Sequence, residues 1–165
     1  MANLSKRAAV LTVSDGVASG SREDLSGRVA VDELSELGFE VVDSAVVPDE
    51  EASIVETVRG WVQQRSADLI LSTGGTGLGP RDVTPEAVRG ILEREIPGYG
   101  ELLRADGLRH TPMAVLSRSV AGNIGSVLVI CLPGSPKAVR QGIAALAPTL
   151  PHALDLLSGQ TTHSA

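Results

Sequence analysis

Cysteine is almost absent from this chain, and its single occurrence, Cys131, excludes an intrachain disulfide and any structural zinc site built on a cysteine cluster. A reducing compartment is expected. Aromatic residues are nearly as scarce: Phe39, Trp61 and Tyr99, 2% of the chain, leave few platforms for stacking single-stranded bases. Basic excess is missing too, since 14 Lys and Arg stand against 20 Asp and Glu for a formal net charge of −6. Phosphate-backbone binding draws on clustered cations, so nucleic acid is not an expected partner. A small phosphorylated ligand is still allowed, because distant carboxylates are screened beyond roughly 8 Å and local donors decide. No uninterrupted apolar run approaches the roughly 20 residues that span a bilayer, and Met1 to Arg7 holds no apolar stretch of signal-peptide length. A cytoplasmic protein without a membrane partner is expected.

What is present is an ordinary globular composition. Of 165 residues, 42% are hydrophobic and 21% charged, which suits one domain over residues 1–165 whose core needs no disulfide or structural metal. The polar run Gln160 to Ala165 is expected to fray. Ala8 to Val13 is an apolar run ending at Ser14-Asp15-Gly16, the pattern of a buried strand and a turn. Ala30, Leu34 and Leu37 then recur at helical spacing before Gly38, placed as a capping glycine. Phe39 to Val47 predicts a second strand. Beyond Pro48, the positions Ile54, Val55, Val58, Trp61 and Val62 mark one face of a helix that Asp49 is placed to cap. Leu69 to Leu71 is a third short strand, and Thr84-Pro85-Glu86 reads as a helix start with Thr84 as N-cap.

Strand and helix alternate three times over this half, which predicts parallel strands with ligands bound beyond their C-terminal ends. The second half is less regular. It predicts a helix from Gly98 to Asp106 and an edge hairpin with arms at Ala114 to Ala121 and Val127 to Leu132 around Gly122-Asn123-Ile124-Gly125. A helix over Ala138 to Leu146, opened by Ser135 and Pro136, and another over Leu154 to Leu157 complete it. The expected class is α/β: a three-layer, doubly wound, mostly parallel sheet with a small β-hairpin at one edge.

The segment after the third strand carries the chemistry. Gly74, Gly75, Gly77 and Gly79 remove Cβ atoms where backbone N–H groups must converge on an anion, and Thr73 and Thr76 add hydroxyls, so the segment reads as a phosphate nest. It is no Walker loop, lacking Gly-Lys-Ser or Gly-Lys-Thr, and Asp82 stands where the dinucleotide fingerprint wants a third glycine. A tight turn needing positive φ is the plainer alternative, but four glycines and two threonines exceed what a turn requires. Asp49 and Asp82 follow successive strands, and a parallel sheet would bring both to the edge of the nest, where paired carboxylates suit Mg²⁺. Taken singly, Asp49 also fits a helix cap and Asp82 a loop carboxylate paired with Arg81. Ser14 and Asp15 fit either a cap or a ligand contact, and Ser135 is first an N-cap. Arg118, beside Ser117, and Lys137 are either anion contacts or solvated cations. His110, His152 and His163 lack metal-ligand spacing, and Cys131 within an apolar run reads as core.

The run Thr73-Gly-Gly-Thr-Gly-Leu-Gly-Pro-Arg-Asp-Val-Thr-Pro-Glu-Ala87 resembles the central motif of the MogA/MoaB family of molybdenum cofactor biosynthesis proteins. Leu11-Thr-Val-Ser-Asp-Gly16, Val47-Pro-Asp-Glu50, Pro97-Gly98, Thr111-Pro112, Leu116-Ser-Arg118 and Leu132-Pro-Gly-Ser-Pro136 are similar to that family's other segments, in the same order. The resemblance implies a molybdopterin adenylyltransferase that joins AMP from Mg-ATP to the phosphate of molybdopterin and releases pyrophosphate. It implies that Asp49 and Asp82 are essential and organise Mg²⁺ and ATP, and that Gly74, Gly75, Thr76 and Gly77 hold ligand phosphate. Ser14 and Asp15 match nucleotide-side positions, Ser117 a serine that handles the pterin, and Gly134 and Ser135 further ligand contacts. Assembly as a trimer or hexamer and a metal-insertion protein downstream are implied as well. The alternatives are a non-catalytic paralogue, a molybdopterin-binding scaffold that assists metal insertion, and a hydrolase of the CinA type. The retained aspartates and the Arg81-Asp82-Val83-Thr84-Pro85 run favour the transferase.

Overall fold

The computed structural model of the chain describes residues 6–160. The polar tail expected beyond Gln160, and His163 with it, lies outside them. Three strands come from the most apolar runs of the sequence: β1 (Arg7–Val13), β3 (Leu69–Thr73) and β6 (Val127–Leu132) are buried along nearly their whole length. Helices cover both faces of such strands, which is why they read as continuous apolar runs without alternation. The edge strand β2 (Glu40–Val47) is mostly exposed instead. The sheet runs β2-β1-β3-β6-β5-β4, with β5 at Ala121–Ile124 and β4 at Arg94–Glu95. β1 pairs in parallel with β2 and β3, and β3 with β6, whereas β5 and β4 join antiparallel.

Helices α2 (Leu25–Glu36), α5 (Pro97–Leu108), α6 (Pro136–Leu146) and α7 (Leu150–Leu157) pack on one face, where Leu34, Leu71, Leu103, Ile130 and Ile143 meet. On the other, α3 (Glu51–Gln63) and α4 (Thr84–Arg89) bring Ile54, Val58, Trp61 and Val88 against Leu11, Ile70 and Val129. Each fully buried aliphatic side chain of this kind contributes ~1.5–3 kcal/mol by leaving water. The expected three-layer α/β class with its edge hairpin is the observed one. Among the described residues no helix is long and apolar enough to cross a membrane.

The order of the strands places the site. After β1 the chain turns outward to β2, then returns across β1 to β3, so the crevice beyond the C-terminal ends of β1 and β3 lies where the winding reverses. The opposite edge of the sheet holds the two ends of the described chain: Lys6 Nζ lies 3.0 Å from the Asp155 carboxylate on α7.

Several local expectations are corrected. Asp49 does not cap α3; Glu50 takes the N-cap position without a side-chain bond, because the Asp49 carboxylate is taken by the backbone of Asp15. Thr84 does not cap α4 either, since its hydroxyl donates to the Gly74 carbonyl and Val83 stands at the N-cap. Ser14-Asp15-Gly16 is no simple turn but opens a one-turn helix, α1 (Asp15–Ala18), which Ser14 caps through Val17 N–H. The hairpin is there, with its turn at Gly125-Ser126, and Gly122, Asn123 and Ile124 belong to β5 rather than to the turn. Pro112–Leu116 forms a 3-10 turn, opened by Thr111 accepting from Met113 N–H, where a hairpin arm was expected. Ser135 does cap α6, accepting from Ala138 N–H at 3.1 Å.

Cys131 is fully buried in β6, and burial pushes its thiol up to about 11 from 9.0. The stability it gains by staying neutral is complete below pH 9.0 and is lost as pH rises through about 11. Ellman's reagent at about pH 8 is therefore expected to leave the native protein unlabelled, and to label one thiol per chain once guanidinium unfolds it. Rapid labelling of the folded protein would contradict this burial.

Candidate functional site

β3 ends at Thr73, whose hydroxyl donates to the Pro133 carbonyl at 2.8 Å, so the turns after β3 and β6 are tied at their roots. Gly74 and Gly75 follow with φ of +99° and +68°, a left-handed path that only glycine takes without strain. The turn is also crowded. A Cβ on Gly74 would run into the Val13 carbonyl, and one on Gly75 would meet the Thr84 hydroxyl and lie 3.1 Å from Asp49 Oδ1. No described residue accepts a hydrogen bond from the backbone N–H of Gly75, Thr76 or Gly77. Three successive uncommitted donors on a positive-φ turn are what an anion-binding nest requires.

The carboxylates converge on this turn from three loops. Asp49, after β2, accepts Asp15 N–H at 2.8 Å through Oδ2, and Asp15 returns the contact by accepting Asp49 N–H at 3.0 Å. Arg81 does not pair with Asp82; it forks onto Asp15, with Nε and Nη2 both 3.0 Å from its two oxygens. That bond and Asp49 N–H hold the Asp15 carboxyl below the ordinary range. Burial, with the charges of Asp15 and Asp82 nearby, holds Asp49 above it even against the Asp15 N–H. Asp82 Oδ2 accepts Gly79 N–H at 2.8 Å, and its carboxylate lies 2.9 Å from where a Cβ on Gly77 would sit. Asp49 and Asp82 each keep Oδ1 free of any described partner.

Two cavities open on either side of the turn. The first, about 420 Å³, has Ser14, Asp49, Gly74, Gly75 and Asp82 in its wall. The second, about 450 Å³, has Thr76, Gly77 and Ser117 on one side and Leu103, Met113 and Leu116 on the other. Gly75, Asp82, Gly134 and Ser135 line both, so the two cavities meet there. Every site residue expected from the sequence is therefore at this junction or beside it, Asp15 through its bonds to Asp49. Among the described residues no three His, Cys, Asp or Glu side chains form a cluster able to hold a metal unaided.

Arg118 is not the anion contact or solvated cation that its sequence context offered. Its Nε donates to the Gly77 carbonyl at 2.8 Å, Nη2 to the Asp82 carbonyl at 2.7 Å, and Nη1 pairs with the Glu86 carboxylate. Its own N–H donates to the Thr76 carbonyl at 2.9 Å. The guanidinium thus fastens the outer limb of the glycine turn. Spacing gave no sign of this, because the contact joins segments about forty residues apart. Ser117, next in the chain, shares a 2.9 Å hydrogen bond with Ser119, and Arg104 donates to the carbonyls of both. Lys137 lines neither cavity.

A family model described as "Probable molybdopterin binding domain" matches residues 9–152. The molybdopterin adenylyltransferase of Helicobacter pylori strain J99 is 38% identical over 152 residues, which cover 91% of this chain and 86% of that protein. A molybdenum cofactor biosynthesis bifunctional protein of Synechococcus elongatus is 45% identical over 92% of this chain. The chain spans only about half that protein's length, 47%. Among solved structures, the molybdopterin biosynthesis enzyme MoaB of Thermus thermophilus superposes with a TM-score of 0.88 at 49% identity, covering 93% of this chain and 97% of that one.

Proposed function

This chain belongs to the MogA/MoaB family of molybdenum cofactor biosynthesis proteins, and on that premise we propose that it is a molybdopterin adenylyltransferase. The observation that carries this reading is the meeting of two cavities at Gly75, Asp82, Gly134 and Ser135, with a free carboxylate oxygen of Asp49 and of Asp82 beside the nest. One cavity takes ATP and the other molybdopterin. The wall of Leu103, Met113 and Leu116 suits a flat heterocycle, while Ser117 and the turn meet its phosphate.

In the reaction, an oxygen of the pterin's terminal phosphate attacks the α-phosphorus of ATP. The bond from that phosphorus to the bridging oxygen breaks, and pyrophosphate leaves with the electron pair. A phosphate monoester is already an anionic nucleophile at neutral pH, so the reaction needs neither a nucleophilic Ser or Cys nor a His base at the junction. Alignment of two bound anions and cancellation of their charge carry the rate. The N–H groups of Gly75, Thr76 and Gly77 supply donors that need no reorganisation, and Arg118 keeps the turn in that shape.

Mg²⁺ fits the donor set, since two carboxylates with unpartnered oxygens and mutual repulsion suit an ion that takes one or two carboxylates plus water and substrate oxygens. Held by Asp49 and Asp82, it would neutralise phosphate charge during transfer. Purified protein given Mg²⁺, ATP and molybdopterin is expected to release one pyrophosphate for each adenylylated pterin formed. Protein that binds molybdopterin tightly yet yields no pyrophosphate would overturn the transferase reading in favour of a carrier.

A further inference from the structure

The first cavity is lined by three acidic side chains, Glu23, Asp49 and Asp82, and by one basic one, Arg22. Its surroundings offer little more positive charge. Arg81 is committed to Asp15 and Arg28 to Glu23, whereas the guanidinium of Arg22 makes no hydrogen bond or ion pair with any described residue.

Arg22 is also built into place. The Gly16 carbonyl accepts from Arg22 N–H at 3.0 Å, from Ser21 Oγ at 3.1 Å and from Ser19 Oγ at 3.2 Å, which folds the loop back onto α1. At the loop's other end Asp24 accepts from Gly27 N–H and from the Thr12 hydroxyl, fixing it to α2 and β1. The aliphatic stem of Arg22 crosses the bare face of Gly16, where a Cβ would come within 2.7 Å of Cδ. A loop pinned at both ends, over a glycine that makes room for one stem, sets an unpaired cation on the wall of an acidic cavity.

We infer that Arg22 binds the β- and γ-phosphates of the nucleotide, the pyrophosphate that leaves. The inference rests on the transferase reading and extends it. The α-phosphorus must lie at the junction, where the second cavity supplies the nucleophile, and Arg22 lines only the first. Of the groups of ATP beyond that phosphorus, only the pyrophosphate carries charge, and a guanidinium fork matches phosphate oxygens in charge and geometry.

Isothermal titration of Mg-ATP, Mg-AMP and Mg-pyrophosphate into wild type and Arg22→Gln tests this. The Arg22 side chain has no partner to lose, so the variant should melt as wild type does. Gln is expected to weaken ATP and pyrophosphate about tenfold and to leave AMP within about twofold. Gly16→Ala, which displaces the stem without removing the charge, should shift the same two ligands in the same direction. Equal losses for ATP and AMP, or no loss for either, would overturn the role of Arg22 while leaving the transferase reading intact. Wild type that binds neither ATP nor pyrophosphate would overturn both. The expected pattern of affinities without any turnover would uphold the Arg22 contact and remove the transferase.

Discussion

Asp82→Asn is expected to lower pyrophosphate release about 10²- to 10³-fold, the usual cost of removing one group that balances charge at a reacting phosphoryl or acyl centre. The amide keeps an oxygen for Gly79 N–H, so the loop retains its bond and folding is spared. Asp49→Asn should do the same to turnover, and its effect on stability has a definite sign. Burial and two neighbouring charges raise the folded-state value of this carboxyl, so its favourable contribution is complete below pH 3.8 and is lost as pH rises through the raised value. At neutral pH the ionised group opposes folding. The Asn variant, which still accepts Asp15 N–H through its amide oxygen, should therefore melt no lower than wild type. A pair of variants that fold normally and turn over within about threefold of wild type would remove Asp49 and Asp82 from the chemistry.

Gly74→Ala is expected to be the most damaging small substitution in the turn. An alanine at φ +99° carries ~1–2 kcal/mol of backbone strain, and its Cβ meets the Val13 carbonyl, part of the central strand. The backbone cannot rotate away, because Gly74 N–H donates to Leu132 and its carbonyl accepts from Thr84. Displacing packed backbone adds ~1–3 kcal/mol, for a total near 4 kcal/mol and a melting temperature about 10 °C lower in a chain of this length. Gly77→Ala is the control. Its φ is ordinary and its new Cβ would approach a carboxylate oxygen of Asp82 at 2.9 Å, which can swing aside. That variant should lose less than about 1 kcal/mol of stability. Equal melting of Gly74→Ala and wild type in a calorimeter would show that the turn is not sterically fixed.

The buried strands were legible because four-stranded parallel pairing demands apolar runs on both faces, and Ala8 to Val13 and Val127 to Leu132 are such runs. The site's location followed from them, since chain order alone sends Ser14, Asp49 and Gly74 to one edge. What the sequence hid were the acceptors chosen by each polar side chain. Asp49 and Thr84 both stand where a cap is wanted, and only the third dimension shows that Asp15 N–H and the Gly74 carbonyl are nearer partners. Arg94–Glu95 was missed as a strand because two exposed charged residues carry no periodicity. The arm expected at Ala114 began too early, as Thr111 and Pro112 initiate a 3-10 turn whose residues face the second cavity.

The ion pair between Lys6 and Asp155 sets the first and last parts of the described chain side by side, at the edge where β1 begins. β1 has seven residues, a rise of about 20 Å between that edge and the junction of the two cavities. The first and last described segments therefore lie on the far side of the sheet from both cavities. A partner held at that ion pair would sit behind the sheet, about one strand's length from the mouths of both cavities.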